Sequence, residues 1–88
     1  MSPVPSDLPQ RALAMLRAAA NGRAEMTCSC EPDLFIDGLA CCDQVTARFL
    51  AHANLICPAR PGAIGQRVPV RLTPAGHSAL TVEPLEAA

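Results

Sequence analysis

Cysteines and arginines are the side chains of this chain whose type and spacing could do chemistry. Cys28 and Cys30 stand two apart, and Cys41 and Cys42 follow after ten intervening residues. Four thiolates at such positions could ring one zinc ion or an iron–sulfur cluster. On a strand, residues two apart point the same way, so Cys28 and Cys30 could chelate together. Adjacent Cys41 and Cys42 point apart, which counts against both holding one ion. The spacing also departs from the usual C-x2-C pair of zinc sites. The plain alternative is that the four are small buried hydrophobes. A third reading is redox sensing, because Cys42 precedes an expected helix whose N-terminus favours a thiolate. Cys57, before Pro58, reads as core.

The second chemical feature is segregated charge. Between Gln44 and Val82 lie Arg48, Arg60, Arg67 and Arg71, two histidines and no carboxylate side chain, although the whole chain carries net charge −1. Residues 1 to 43 carry −3, residues 44 to 82 carry +4, and Glu83 with Glu86 adds −2. Such asymmetry points one surface at a polyanion. Catalysis has little behind it: Glu31, Asp33 and Asp37 could be drawn as an acid–base pair, but no nucleophile, phosphate loop or oxyanion-type glycine motif accompanies them. They read as solvated acids, and His52 and His77, which have no partner motif, as surface histidines.

Eighty-eight residues make one domain, and at that size folding buries roughly 60 to 65% of the extended chain's surface. Phe35 and Phe49 are the only aromatic residues, so the core must be aliphatic, and a single-strand binder built on stacking platforms is disfavoured. The apolar runs fall far short of the ~20 residues that cross a bilayer, and the first ten residues lack the pattern of a signal peptide. A cytoplasmic protein with no membrane partner is therefore expected. In a reducing compartment, an odd number of cysteines is a poor disulfide framework.

The elements that must position these residues follow from caps and periodicity. Residues 1–6, with Pro3 and Pro5, read as a loose arm, residues 7–82 as the domain, and residues 83–88 as a fraying tail. Asp7 looks like the cap of a helix over about 8–20, with Pro9 in its first turn and Asn21-Gly22 able to close it in left-handed geometry. Met26, Cys28 and Cys30 alternate with Thr27 and Ser29, which predicts a short strand near 24–30. Residues 33–42 could be a short helix capped by Asp33 or the returning arm of a hairpin. Gly38 and Ile36 weaken the helix, which is preferred on grounds of topology.

Asp43 should cap a helix over 44–53. Val45, Thr46, Phe49, Leu50 and Ala53 share the side expected to pack on the first helix, and Gln44, Arg48, Ala51 and His52 the side left outward. Asn54 ends it. Leu55, Ile56 and Cys57 start a strand, and Val68, Val70 and Leu72 alternate with Arg67, Pro69 and Arg71 on the next. Pro69 cannot donate to a ladder, which predicts an edge position for that strand. Thr73 and Pro74 open a last helix running to about Ala79.

The segment TARFLAHANLI with GQRVPVRLTPAGHSAL resembles the recognition helix, wing and following helix of bacterial winged helix regulators of the MarR-like and related kinds. Asn54-Leu55-Ile56 stands for their Gly-Leu-Ile step, and Val70 to Gly76 for their Val-x-Leu-Thr-x-x-Gly. Gln66-Arg67 replaces their acidic–arginine pair, the cysteine segment has no counterpart, and the chain is too short for their dimerising helices. The resemblance implies an α+β winged helix-turn-helix, a three-helix core with a β-hairpin wing, that binds duplex DNA as a regulator or accessory factor. Carried over by position, Gln44, Thr46, Arg48 and His52 would enter the major groove. Arg60, Arg67 and Arg71 would lie in the wing. Four phosphate contacts give a log–log salt slope of about −3.6, so one copy binds weakly and a homodimer or partner protein is implied. The alternative is a winged helix module that binds another protein.

Overall fold

In a computed structural model that describes residues 8–87, with the side chains of residues 8–80, three helices and five strands alternate. They are α1 (Gln10–Ala20), β1 (Ala24–Thr27), β2 (Leu34–Ile36), β3 (Leu39–Ala40), α2 (Gln44–His52), β4 (Ile56–Pro58), β5 (Arg67–Leu72) and α3 (Pro74–Ala87). The fold is α+β. The strands form one antiparallel sheet in the order β3-β2-β1-β5-β4.

Spacing fixes which side of each element is buried. On α1 the residues Ala12, Leu13, Met15, Leu16, Ala18 and Ala19 are all buried. They meet Ala24 and Met26 of β1, Leu34 of β2, Val70 and Leu72 of β5, and Ala47 and Leu50 of α2 in one core. Small alanines let α1 approach the sheet closely, which suits a core without Trp or Tyr. The other face of the sheet carries Glu25, Phe35 and Arg67. There the Arg67 guanidinium lies 4.3 Å from the centre of the Phe35 ring, and its Nε 3.3 Å from Glu25.

Both inner helices stop by the same device. Gly22 at φ 76° and Asn54 at φ 64° are left-handed. Arg23 and Leu55 donate back to the carbonyls of Ala18 and Leu50, and Gly22 and Asn54 to those of Ala19 and Ala51. Each is a Schellman closure. The start of α1 differs from expectation. Pro9 is the cap residue and offers no side-chain hydrogen bond, while Asp7 and the arm at 1–6 lie outside the described residues. The helix α3 continues to Ala87, past the expected end near Ala79.

Residues 33–42 form no helix. β2 and β3 make a hairpin around Asp37 (φ 55°) and Gly38 (φ 83°), with Ile36 opposite Leu39. Two consecutive positive φ angles make the turn whose twist matches a hairpin, and Asp-Gly is its favoured pair. Arg23 clamps the turn with two hydrogen bonds to Asp37, Nε to Oδ1 at 3.0 Å and Nη2 to Oδ2 at 2.8 Å. The short helix expected within residues 33–42 is therefore replaced by a β-hairpin. The strand expected over 24–30 stops at Thr27.

Pro69 does not lie on an edge, because β5 pairs with both β1 and β4. Its carbonyl accepts the Ala59 N–H at 2.8 Å. In an antiparallel strand a residue's N–H and C=O face the same neighbour, so the missing donor of Pro69 faces Ala59, one residue past the end of β4. The ladder loses nothing it needed.

Candidate nucleic-acid interface

Asp43 launches α2. Its Oδ1 accepts the Thr46 N–H at 3.0 Å, and its Oδ2 accepts the Thr46 hydroxyl at 2.6 Å and the Arg11 guanidinium at 2.9 Å. These contacts, the Thr46 hydroxyl first, hold the Asp43 carboxyl down at about 2 against an ordinary 3.8. Thr46 is thereby spent on the cap.

The polar side of α2 makes its hydrogen bonds to the hairpin and its entry loop. Gln44 Oε1 accepts the Leu34 N–H at 2.8 Å, while its Nε2 donates to the carbonyls of Leu34 at 3.0 Å and Cys41 at 2.8 Å. Arg48 Nη2 donates to Asp33 Oδ1 at 2.5 Å, and its Nε, which has no hydrogen-bond partner, lies 3.9 Å from Glu31. His52 Nε2 is 2.9 Å from the Cys30 carbonyl and 3.6 Å from Glu31. A carbonyl only accepts, so Nε2 is the protonated nitrogen.

The outward side of α2 is apolar: Val45 is 79% exposed and Phe49 46%. The expectation that these two pack on α1 is corrected, because Ala47 and Leu50 take that position. Four side chains expected to read bases are thus engaged within the protein.

The arginines beyond α2 divide likewise. Arg67 is held by Glu25 and Phe35. Arg60 and Arg71 are exposed, and among the described residues neither side chain makes a hydrogen bond or an ion pair. Both line one open cleft of about 560 Å³ together with Cys28, Ser29, Pro58 and Gly62. A second cleft, lined by Cys30, Ala51 and His52, shares Ser29 and Pro58 with the first.

The loop between β4 and β5 is fastened to the end of β1. Gly65 donates to the Cys28 carbonyl at 3.0 Å and Cys28 to the Gln66 carbonyl at 3.0 Å. Gly62 sits so close that an added Cβ would lie 3.0 Å from Cys28 Sγ and from Val68. Ser29 and Pro58 had no signal in the sequence, since tertiary packing alone brings them to the cleft.

No family model, curated protein or solved structure matches the chain.

The cysteines do not come together as a single metal set. All five are free thiols, and among the described residues no three side chains of the His, Cys, Asp and Glu types are grouped to hold an ion. Cys28 lies under the loop between β4 and β5 and Cys30 beside His52, whereas Cys41 and Cys42 border a different cavity against α1. No described helix is long and apolar enough to cross a membrane.

Proposed function

We propose that this chain is a winged-helix-type protein that binds duplex DNA, as a regulator or accessory factor without catalysis, chiefly through the phosphate backbone. The order α1, β1, α2, β4, β5, α3 supports the winged-helix reading, with β4, β5 and the loop between them as the wing and the β2–β3 hairpin standing where a second helix would be. One observation carries the polyanion reading: Arg60 and Arg71 share a cleft, and neither is neutralised by a carboxylate among the described residues. The other expected contacts are satisfied internally, so sequence-specific reading from α2 has lost its support. Phosphate contacts position a protein without specifying bases.

Two phosphate contacts give a log–log salt slope of about −1.8, shallower than the expectation from four. The test is fluorescence anisotropy with a duplex of arbitrary sequence over a range of salt. Wild type should bind with that slope, and R60A/R71A should lose both affinity and slope. A wild type that does not bind, or a variant with the wild-type slope, refutes the assignment.

The exposed pair Val45 and Phe49 favours a second reading, a protein-interaction module whose occupant is a second copy of this chain. An i, i+4 apolar pair on a helix can meet its own image across a two-fold axis. Pairing would also double the phosphate contacts available to one duplex. Sedimentation equilibrium should give a dimer for wild type and a monomer for V45S/F49S.

A further inference from the structure

A largely apolar cavity of about 370 Å³ lies between α1, the β2 strand and the entry to α2, away from the wing. Three sulfur-bearing residues line it: Met15, Cys41 and Cys42. Met15 is buried, Cys41 half-buried and Cys42 exposed, so the thioether is the inner end and a thiol the outer end. Adjacent side chains diverge on a straight strand, but the chain bends at Cys42, and both cysteines border the same space. Cys41 is fixed through its backbone, its N–H on the Leu34 carbonyl at 2.9 Å and its carbonyl on Gln44 Nε2 at 2.8 Å.

The remaining donors are accounted for. Asp43 is the one carboxylate in the lining, and both its oxygens are already bonded to Thr46 or Arg11. Arg11 is a cation, and Ala14 and Ile36 bring no donor atom. The cavity therefore offers sulfur and little else. Zinc takes four nitrogen, oxygen or sulfur ligands in tetrahedral array, which this set cannot supply. Soft thiolate and thioether donors select Cu(I), which is content with two or three of them.

We infer that Cys41, Cys42 and Met15 form a binding site for Cu(I). Each thiol gives up its proton to solvent as its sulfur bonds the ion, and no electron is transferred. The Cys28 and Cys30 thiols, which line other clefts, take no part.

The test is an anaerobic titration of the full chain with Cu(I) against a coloured Cu(I) chelator. Wild type should withdraw one equivalent from the chelator, C28S/C30S should do the same, and C41S/C42S should withdraw none. M15L, which keeps the core filled, should bind more weakly than wild type. Far-ultraviolet circular dichroism checks that each variant is folded. Should C41S/C42S fail to fold, C42S alone, at an exposed position, must show the loss. The inference is overturned if wild type withdraws no copper, if C28S/C30S removes the equivalent, or if the Cys41 and Cys42 variants keep it.

Discussion

Gln44 grips both backbone polar groups of Leu34, accepting the N–H at 2.8 Å and donating to the carbonyl at 3.0 Å. The carboxamide acts as a short length of β-ladder that joins the first turn of α2 to strand β2. Leu34 is buried, and while its carbonyl also accepts the Cys41 N–H at 2.9 Å, its N–H relies on Gln44. Gln44→Ala should therefore cost about 1 to 3 kcal/mol, the penalty of leaving one buried polar group unpaired. Gln44→Glu sharpens the test, because a carboxylate can accept from Leu34 but cannot donate to the two carbonyls. Its denaturant midpoint should fall at neutral pH and recover on acidification as the acid gains its proton.

The joint between α2 and α3 is tightly built. Thr73 Oγ1 donates to the Asn54 carbonyl at 2.6 Å and accepts the Gly76 N–H at 3.0 Å. A Cβ on Gly76 would run into the Leu55 carbonyl. Gly76→Ala should lower stability by about 1 to 3 kcal/mol, the usual range for overpacking, despite alanine's better helix propensity. Urea unfolding with an unchanged m-value is the measurement, and a stabilised variant would show that α3 can shift away at no cost.

Acid should loosen α2 first. The folded Asp43 carboxyl is held at about 2 against an ordinary 3.8, so its stabilising effect is complete above the unfolded value. It is lost as pH falls from about 4 to about 2. Asp37, also lowered through its hydrogen bonds with Arg23, contributes in the same direction. Asp43→Asn should be less stable than wild type at neutral pH, and the two curves of urea midpoint against pH should converge at the acid end. Parallel curves would mean that the carboxylate does not support the helix.

Much of the frame was legible because helix ends are local. Asn21-Gly22, Asp43, Asn54 and Thr73-Pro74 state their roles in two or three residues each, and the alternation in β5 gives its buried face directly. The β2–β3 hairpin was also written locally, in Asp37-Gly38 between Ile36 and Leu39, but the expected topology outweighed it. The orientation of α2 was not legible. A helical wheel groups Val45 and Phe49 as a packing face, yet Ala47 and Leu50 fit the close approach to α1, and size complementarity with another element is not a property of the segment itself. Pro69 misled for a related reason, since its tolerance depends on where β4 happens to end. The pairing of Arg48 with Asp33 needs α2 beside the loop that enters the hairpin, and that of Arg67 with Glu25 needs β5 beside β1. Two of the four arginines segregated along the sequence are therefore neutralised in space.

That neutralisation separates two classes of arginine in a binding experiment. Arg48 is half-buried and tied to Asp33, so freeing it for a phosphate would leave the acid unpaired. Arg60 and Arg71 are exposed and, among the described residues, have no competing partner. Arg48→Ala should thus lower the thermal midpoint while leaving the salt slope of duplex binding as in wild type. R60A/R71A should keep the midpoint and flatten the slope by about 1.8, the counterion release of two phosphate contacts. If Arg48→Ala instead flattens the slope by about 0.9, Arg48 leaves Asp33 on binding and α2, not the wing alone, approaches the duplex.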